Sequence, residues 1–369
     1  PARRYKMDLQ TRTVKLSELK KYVKHHFRTK RPMMVWGPPG IGKSETFEQI
    51  TNSYIAEGKK AKLIDARLSL WDPTDLKGYP YYNKETNRMS FSSPDELPTE
   101  AEAAEYDIIV LFLDELNGAA PATQAAAYQL ILNRAIGKYK LPDNVVIAAA
   151  GNRETDKGVT YRMPKPLANR FLHYEVRVDF NDWFDWAVTN TQHSDVIGYV
   201  TTFKDDLYNF DASSAERSFA TPRTWAFISD TIQDVEDFTE EEVTDMVAAG
   251  IGEGIALKFK AHRAVASQLP NPTDILDGKV KELKTDNISA KYSLTTALCY
   301  ELKDSFNNKK DEMNRFDNFL EFVQNNFEAE MVVMACTIAL GKYAIRPKFN
   351  QLKNWKGFIA KYGTLIEMA

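Results

Sequence analysis

Eight consecutive residues constrain this chain more than anything else in it: Gly37-Pro38-Pro39-Gly40-Ile41-Gly42-Lys43-Ser44. The run fits G-x-x-x-x-G-K-[ST], a loop whose glycines let the backbone wrap a phosphate chain and turn its N–H groups inward. The motif follows an apolar run at 33–36 and precedes a helix-forming stretch at 43–57 that begins Lys43-Ser44-Glu45. That context is what the mechanism needs, because the N-terminus of the following helix faces the same anion. Lys43 is placed to reach the outer phosphates and Ser44 to ligate Mg²⁺, so ATP and Mg²⁺ are the expected cofactors. A loop of this kind demands a parallel α/β sheet around it, with ligands at the carboxyl ends of the strands.

The first half of the chain supplies such a sheet. Short apolar segments at 33–36, 62–64, 108–113, 145–150 and 172–178 read as five buried strands. Helices are expected at 43–57, near 99–104, and at 121–133, where Pro121 suits the first turn. Residues 66–98 are too long for an ordinary connection and read as an insertion with its own hairpin. A second hairpin is expected over 135–146, turning at Pro142-Asp143-Asn144. After about residue 179 the strand signals stop, and helical spacing takes over at 181–189, 222–235, 240–249 and 254–267. Pro270, Asn271 and Pro272 read as a linker, with further helices at 290–306, 314–325, 329–343 and 352–362. The expected organisation is a basic N-terminal segment (1–30), a nucleotide-binding α/β domain (31–178), a helical lid (179–275) and a C-terminal helical region (276–369).

Other candidate residues fall at the ends of the expected strands. The strand at 108–113 ends in Asp114-Glu115. In a phosphate-loop site, Asp114 would hold Mg²⁺ and Glu115 would polarise the attacking water. Asn152 follows the fourth strand, where its amide could bond both a water and a phosphate oxygen. As a bare sequence feature, Asn after Gly is equally a turn residue. Arg170 precedes the fifth strand and Arg223 opens a helix; single arginines most often belong to solvated faces.

Beyond this point a resemblance carries more than residue chemistry does. The order of motifs resembles the AAA+ ATPases, and among them the MoxR family. The carriers are Leu-Asp-Glu-Leu-Asn-Gly-Ala-Ala-Pro-Ala-Thr-Gln at 113–124, Ala-Gly-Asn-Arg-Glu at 150–154, Pro-Leu-Ala-Asn-Arg-Phe at 166–171 and Thr-Pro-Arg-Thr-Trp at 221–225. Asp-Pro-Thr-Asp-Leu-Lys-Gly at 72–78 adds to them. The resemblance spans roughly residues 30–230. It implies an AAA+ core with the phosphate-loop strand central, followed by a helical lid. It also implies Mg-dependent hydrolysis of ATP to ADP and phosphate, Asn152 as sensor 1, Arg170 as an arginine finger completing a neighbour's site, and Arg223 as sensor 2. Many family members carry an arginine where this chain has Gly118.

The same resemblance implies a homo-oligomeric ring, expected to be a hexamer, that remodels or matures a client protein carrying a von Willebrand factor A domain. That domain's metal motif is absent here; Asp211-Ala212-Ser213-Ser214-Ala215 only approaches it. An alternative from another class is a nucleic-acid motor or clamp-loader-like switch, resting on the basic N-terminal segment, with the stretch 15–31 that holds His25 and His26, and on the helical C-terminal block as a collar. A formal net charge of −3 over 369 residues gives no global attraction to nucleic acid, so no tight binding to it is expected. Residues 1–30 are basic without an apolar core, and the longest apolar run, 331–340, is far short of a membrane span. A cytoplasmic protein with no membrane association is the expectation. Cys299 and Cys336 read as buried thiols, and five histidines with two distant cysteines offer no zinc spacing. Trp71, Tyr79, Tyr81, Tyr82 and Phe91 read as aromatic residues packing the insertion hairpin onto the sheet, with a substrate-gripping surface as the alternative.

Overall fold

The computed structural model describes residues 12–153, 156 and 160–367. Residues 1–11 of the basic N-terminal segment, and Glu154 of the 150–154 motif, lie outside the described residues. The chain divides into two compact units, residues 1–179 and 180–369.

The first unit carries the sheet. Its elements run β1 (Thr13–Val14), α1 (Leu16–Thr29), β2 (Met33–Trp36), α2 (Lys43–Ala56), β3 (Ala61–Arg67), α3 (Pro73–Lys77), β4 (Pro80–Asn83), β5 (Arg88–Phe91), α4 (Glu100–Ala103) and β6 (Ile108–Asp114). There follow α5 (Pro121–Asn133), β7 (Ala135–Ile136), β8 (Tyr139–Lys140), β9 (Val145–Gly151), α6 (Lys165–Ala168) and β10 (Leu172–Val176). Six strands form one sheet in the order β1-β10-β2-β9-β6-β3, every pair parallel. The phosphate-loop strand β2 is interior, between β10 and β9. Five strands were expected; the sixth is the two-residue β1, which pairs with the edge of β10. A segment that short has no periodicity to read, and it exists because an edge strand offers unpaired N–H and C=O groups.

β6 and β9 are covered on both faces, as continuous apolar runs in a parallel sheet should be. Residues 109–114 and 145–151 are buried throughout. Phe112 of β6 stacks on Phe47 of α2 with ring centroids 4.2 Å apart, which fixes the helix behind the phosphate loop onto the sheet.

The insertion contains its expected hairpin, β4 with β5. Its aromatic residues do not pack onto the sheet: Tyr79, Tyr81, Tyr82 and Phe91 are exposed, Tyr79 by 68%. Among the described residues β4 and β5 pair only with each other, and of their eight residues only Ser90 is buried. Trp71 alone of that set packs against the core. The second hairpin turns earlier than expected. β7 and β8 are joined by Gly137-Lys138, with Gly137 at φ 57°, whereas Pro142-Asp143-Asn144 forms the turn into β9. A two-residue turn needs the left-handed conformation that glycine supplies without strain.

The second unit is helical: α7 (Phe180–Thr189), α8 (Ser194–Thr202), α9 (Pro222–Thr231), α10 (Glu240–Ile251), α11 (Glu253–Ala266), α12 (Pro272–Leu276), α13 (Ile288–Asn308), α14 (Glu312–Asn326), α15 (Ala329–Cys336) and α16 (Trp355–Glu367). Helices from both sides of residue 275 belong to it. The expected linker at 270–272 is instead a helix start: Asn271 caps α12 by accepting from Thr273 N, and Pro272 takes the first helical position. The buried Trp225 anchors α9, with ring centroids 5.5 Å from Tyr199 and 5.6 Å from Phe259. Cys299 and Cys336 are buried free thiols. Among the described residues no helix is long and apolar enough to cross a membrane.

Candidate functional site

The site forms where β2, β6 and β9 end. Between β2 and α2 the chain turns through Gly40 at φ 77° and Gly42 at φ 92°, a left-handed backbone that other residues adopt only with strain. Gly37 N donates to Gly151 O at 3.3 Å, joining the base of the loop to the end of β9. Lys43 is the first residue of α2, 9% exposed, and its Nζ is held over the loop. It donates to Gly37 O at 2.7 Å, to Pro38 O at 2.9 Å and to Asn152 Oδ1 at 3.4 Å. Glu45 follows in the first turn of α2, where it accepts from Gln49.

Ser44 Oγ donates to Asp114 Oδ2 at 2.8 Å. Asp114, the last residue of β6, also accepts from the Glu115 N–H at 2.8 Å and is only 8% exposed. Glu115 itself has φ 54°. A non-glycine residue held in the left-handed region costs of order 1 kcal/mol and marks a place where side-chain direction matters. Its carboxylate accepts a hydrogen bond from Ser69 Oγ. Asp65 of β3 joins this acidic group. Burial raises its carboxyl above the ordinary range, and the neighbouring charges of Asp114, Glu115 and Glu48 add to that, opposed by Arg67. Nothing in the sequence around Asp65 marked it; the parallel pairing of β3 with β6 brings it there.

Asn152 is just beyond β9, its backbone bonded on both sides by Asn117. Its Nδ2 is uncommitted among the described residues. Arg153 is tied down by ion pairs to Asp156 at 2.9 Å and Glu175 at 3.2 Å.

The structure thus brings together Lys43, Ser44, Asp114, Glu115 and Asn152 within the first unit, and within that unit it leaves Arg170 apart from them. Arg170 lies two residues before Leu172, which pairs with Met33 at the start of β2. Met33 is four residues upstream of the phosphate loop, about 13 Å along a strand. Arg170 therefore stands at the opposite end of the strands, its side chain exposed and without a hydrogen bond or ion pair among the described residues. It borders an open cleft of ≈ 570 Å³ shared with Gln129, Tyr161 and Arg162. Arg223 is exposed in the first turn of α9, in the second unit.

The donor set fits a magnesium nucleotide. A buried ammonium surrounded by carbonyls is suited to phosphate oxygens. Among the described residues no group of three His, Cys, Asp or Glu is arranged to hold a metal. Mg²⁺ binds through one or two protein oxygens, its own waters and substrate phosphates, and the Ser44–Asp114 pair meets that smaller requirement.

No family model matches the chain. A curated protein of Micrococcus luteus described as "AAA ATPase forming ring-shaped complexes" is 24% identical over 285 residues, 71% of this chain and 46% of its own length. The chain therefore spans about half the length of that relative. Among solved structures, RuvB of Thermotoga maritima aligns with 66% of each chain at 18% identity and a TM-score of 0.34. PCH-2 of C. elegans aligns with 69% of this chain and 70% of its own at 13% identity and a TM-score of 0.34. What stands at the site is a phosphate-binding loop on a parallel α/β sheet, in a chain similar in sequence, over 71% of its length, to an AAA ATPase.

Proposed function

We propose that this chain binds ATP·Mg²⁺ and hydrolyses it to ADP and phosphate, as one subunit of an AAA+ ring of the MoxR type. The observation that carries the reading is the convergence of Lys43, the Ser44–Asp114 pair and Asn152 at the end of β2. Lys43 binds the outer phosphates, and its charge opposes the charge that builds up during transfer. Ser44 and Asp114 would hold Mg²⁺, which when bound offsets phosphate charge. Glu115 accepts proton density from the attacking water. Asn152, with its Nδ2 uncommitted among the described residues, orients that water and a γ-phosphate oxygen.

Arg170 is in no position to serve its own loop, so it acts on the nucleotide of an adjacent copy. Arg223 contacts the nucleotide of its own subunit. The ring-forming description of the Micrococcus luteus relative supports assembly of this kind. The MoxR reading rests on the motifs at 113–124, 166–171 and 221–225, and with it goes a client protein bearing a von Willebrand factor A domain.

Two variants test the reading. Lys43→Ala removes the phosphate-facing charge and should abolish nucleotide binding. Glu115→Gln should bind ATP normally and stall turnover, because an amide is not a base. Wild-type turnover by Glu115→Gln would remove Glu115 from the mechanism, and a wild-type chain that hydrolyses no ATP at any concentration would remove the whole reading.

A further inference from the structure

Asn117 lies two residues after Glu115, on the short turn Leu116–Gly118, and is 2% exposed. Both ends of its carboxamide are spent on the backbone of one residue 35 positions away. Nδ2 donates to Asn152 O at 2.8 Å, and Oδ1 accepts from Asn152 N at 3.2 Å. Its own carbonyl accepts from Tyr161 N at 2.7 Å, so the turn is held from behind as well.

This pairing asks for one residue type. A donor and an acceptor at fixed spacing are needed, which aspartate, serine and leucine lack, and glutamine is one methylene too long. The space is equally specific. A Cβ on Gly151 would lie 2.3 Å from Asn117 Oδ1, so the end of β9 is kept bare where the carboxamide seats. The residue so gripped is the one whose Oδ1 receives Lys43 Nζ at 3.4 Å.

We infer that Asn117 is a positioning residue for hydrolysis: by gripping the main chain of Asn152 on both sides it aims the Asn152 side chain into the site. The inference rests on the ATPase reading above. Asn117 reaches neither phosphate nor water itself; it acts through Asn152, as supporting residues act behind a reacting group.

Two expectations follow from a purely positioning role. Loss of Asn117 spares ground-state binding, which the loop and Lys43 provide, and lowers kcat. Its loss also costs nothing further once Asn152 is gone, because residues acting as a unit are non-additive.

The experiment compares wild type, Asn117→Ala, Asn152→Ala and the double variant for fluorescent-ATP affinity, kcat, KM and melting temperature. Asn117→Ser, which leaves a smaller void, replaces Asn117→Ala if the latter is unfolded at assay temperature. The expected result is affinity within about threefold of wild type, kcat down by about tenfold or more, and a double variant within about twofold of Asn152→Ala. Wild-type kcat in a folded Asn117 variant, or losses that multiply in the double variant, overturn the inference while Asn152→Ala remains impaired. An Asn152→Ala variant with full activity, or an inactive wild type, overturns instead the ATPase-site reading and the inference with it.

Discussion

Ser44 and Asp114 are seventy positions apart in sequence, and the Ser44 hydroxyl donates to the Asp114 carboxylate at 2.8 Å. One oxygen comes from the first turn of α2 and the other from the end of β6, and together they form a hard-oxygen pair suited to Mg²⁺. ATP turnover should therefore vanish with EDTA and return with Mg²⁺. Ser44→Ala and Asp114→Asn should each raise the Mg²⁺ concentration for half-maximal rate by about tenfold or more, a change of about 1.4 kcal/mol or more. A magnesium titration of steady-state rate checks this; unchanged titration curves in both variants would dismiss the pair as a metal site.

Arg170 should act between copies. Arg170→Ala and Lys43→Ala are each expected to be inactive, the first losing an interaction worth roughly 10³–10⁵ in rate in other phosphate-loop enzymes. A head-to-tail contact of this kind closes into a ring or runs on as a filament. Mixing the two inactive variants puts some intact loops opposite intact arginines, so part of the activity should return. Mixed assemblies that form by size measurement yet stay inactive would place Arg170 outside catalysis.

Gly151 has no room for a methyl group. Its Cβ would lie 2.3 Å from Asn117 Oδ1 and 2.7 Å from Met34 Cε. Overpacking of this kind typically costs about 1–3 kcal/mol. Gly151→Ala should lower the urea midpoint accordingly and reduce kcat, since Asn117 must shift. A variant equal to wild type in both measurements would show that the end of β9 yields without consequence.

His262, buried in the second unit, should make that unit acid-sensitive. Ser289 donates its hydroxyl proton to Asn287 Oδ1 at 2.8 Å, so it accepts from His262 Nδ1–H, and His262 Nε2 accepts from Ser293. Burial lowers the His262 pKa, with Asp195 opposing and Arg263 and His193 adding to the shift. The unfolded chain thus takes up this proton more readily than the folded one. The resulting stability is complete above the unfolded value, about 6.5, and declines as pH falls through it. Melting temperatures at pH 7.5 and 5.5 should differ less for His262→Gln than for wild type; equal differences would mean that other groups carry the acid sensitivity.

The contrast among site residues follows from how their contacts are made. Lys43 and Ser44 lie within one contiguous loop, and Asp114-Glu115 closes an apolar strand, so both were legible as patterns. Asn152 had only a Gly-Asn pair, which turns also use, until Lys43 and Asn117 were found beside it. Asp65 carries no local signature, and Asn117 is one residue of the 113–124 motif with nothing local to show what it bonds. Each matters through partners more than thirty positions away.

By itself the sequence determined the phosphate loop, the alternation of strand and helix around it, the buried run of β6 and the helical second half. Each of these is a local property, set by glycine conformation, apolar periodicity or capping. Tertiary structure alone decided the sixth strand at Thr13–Val14, the approach of Asp65 to Asp114, the exposure of Tyr79, Tyr81 and Tyr82, and the grip of Asn117 on Asn152. These depend on which distant segments become neighbours, and that is settled by packing and hydrogen-bond pairing across the whole fold, which no short window of residues encodes.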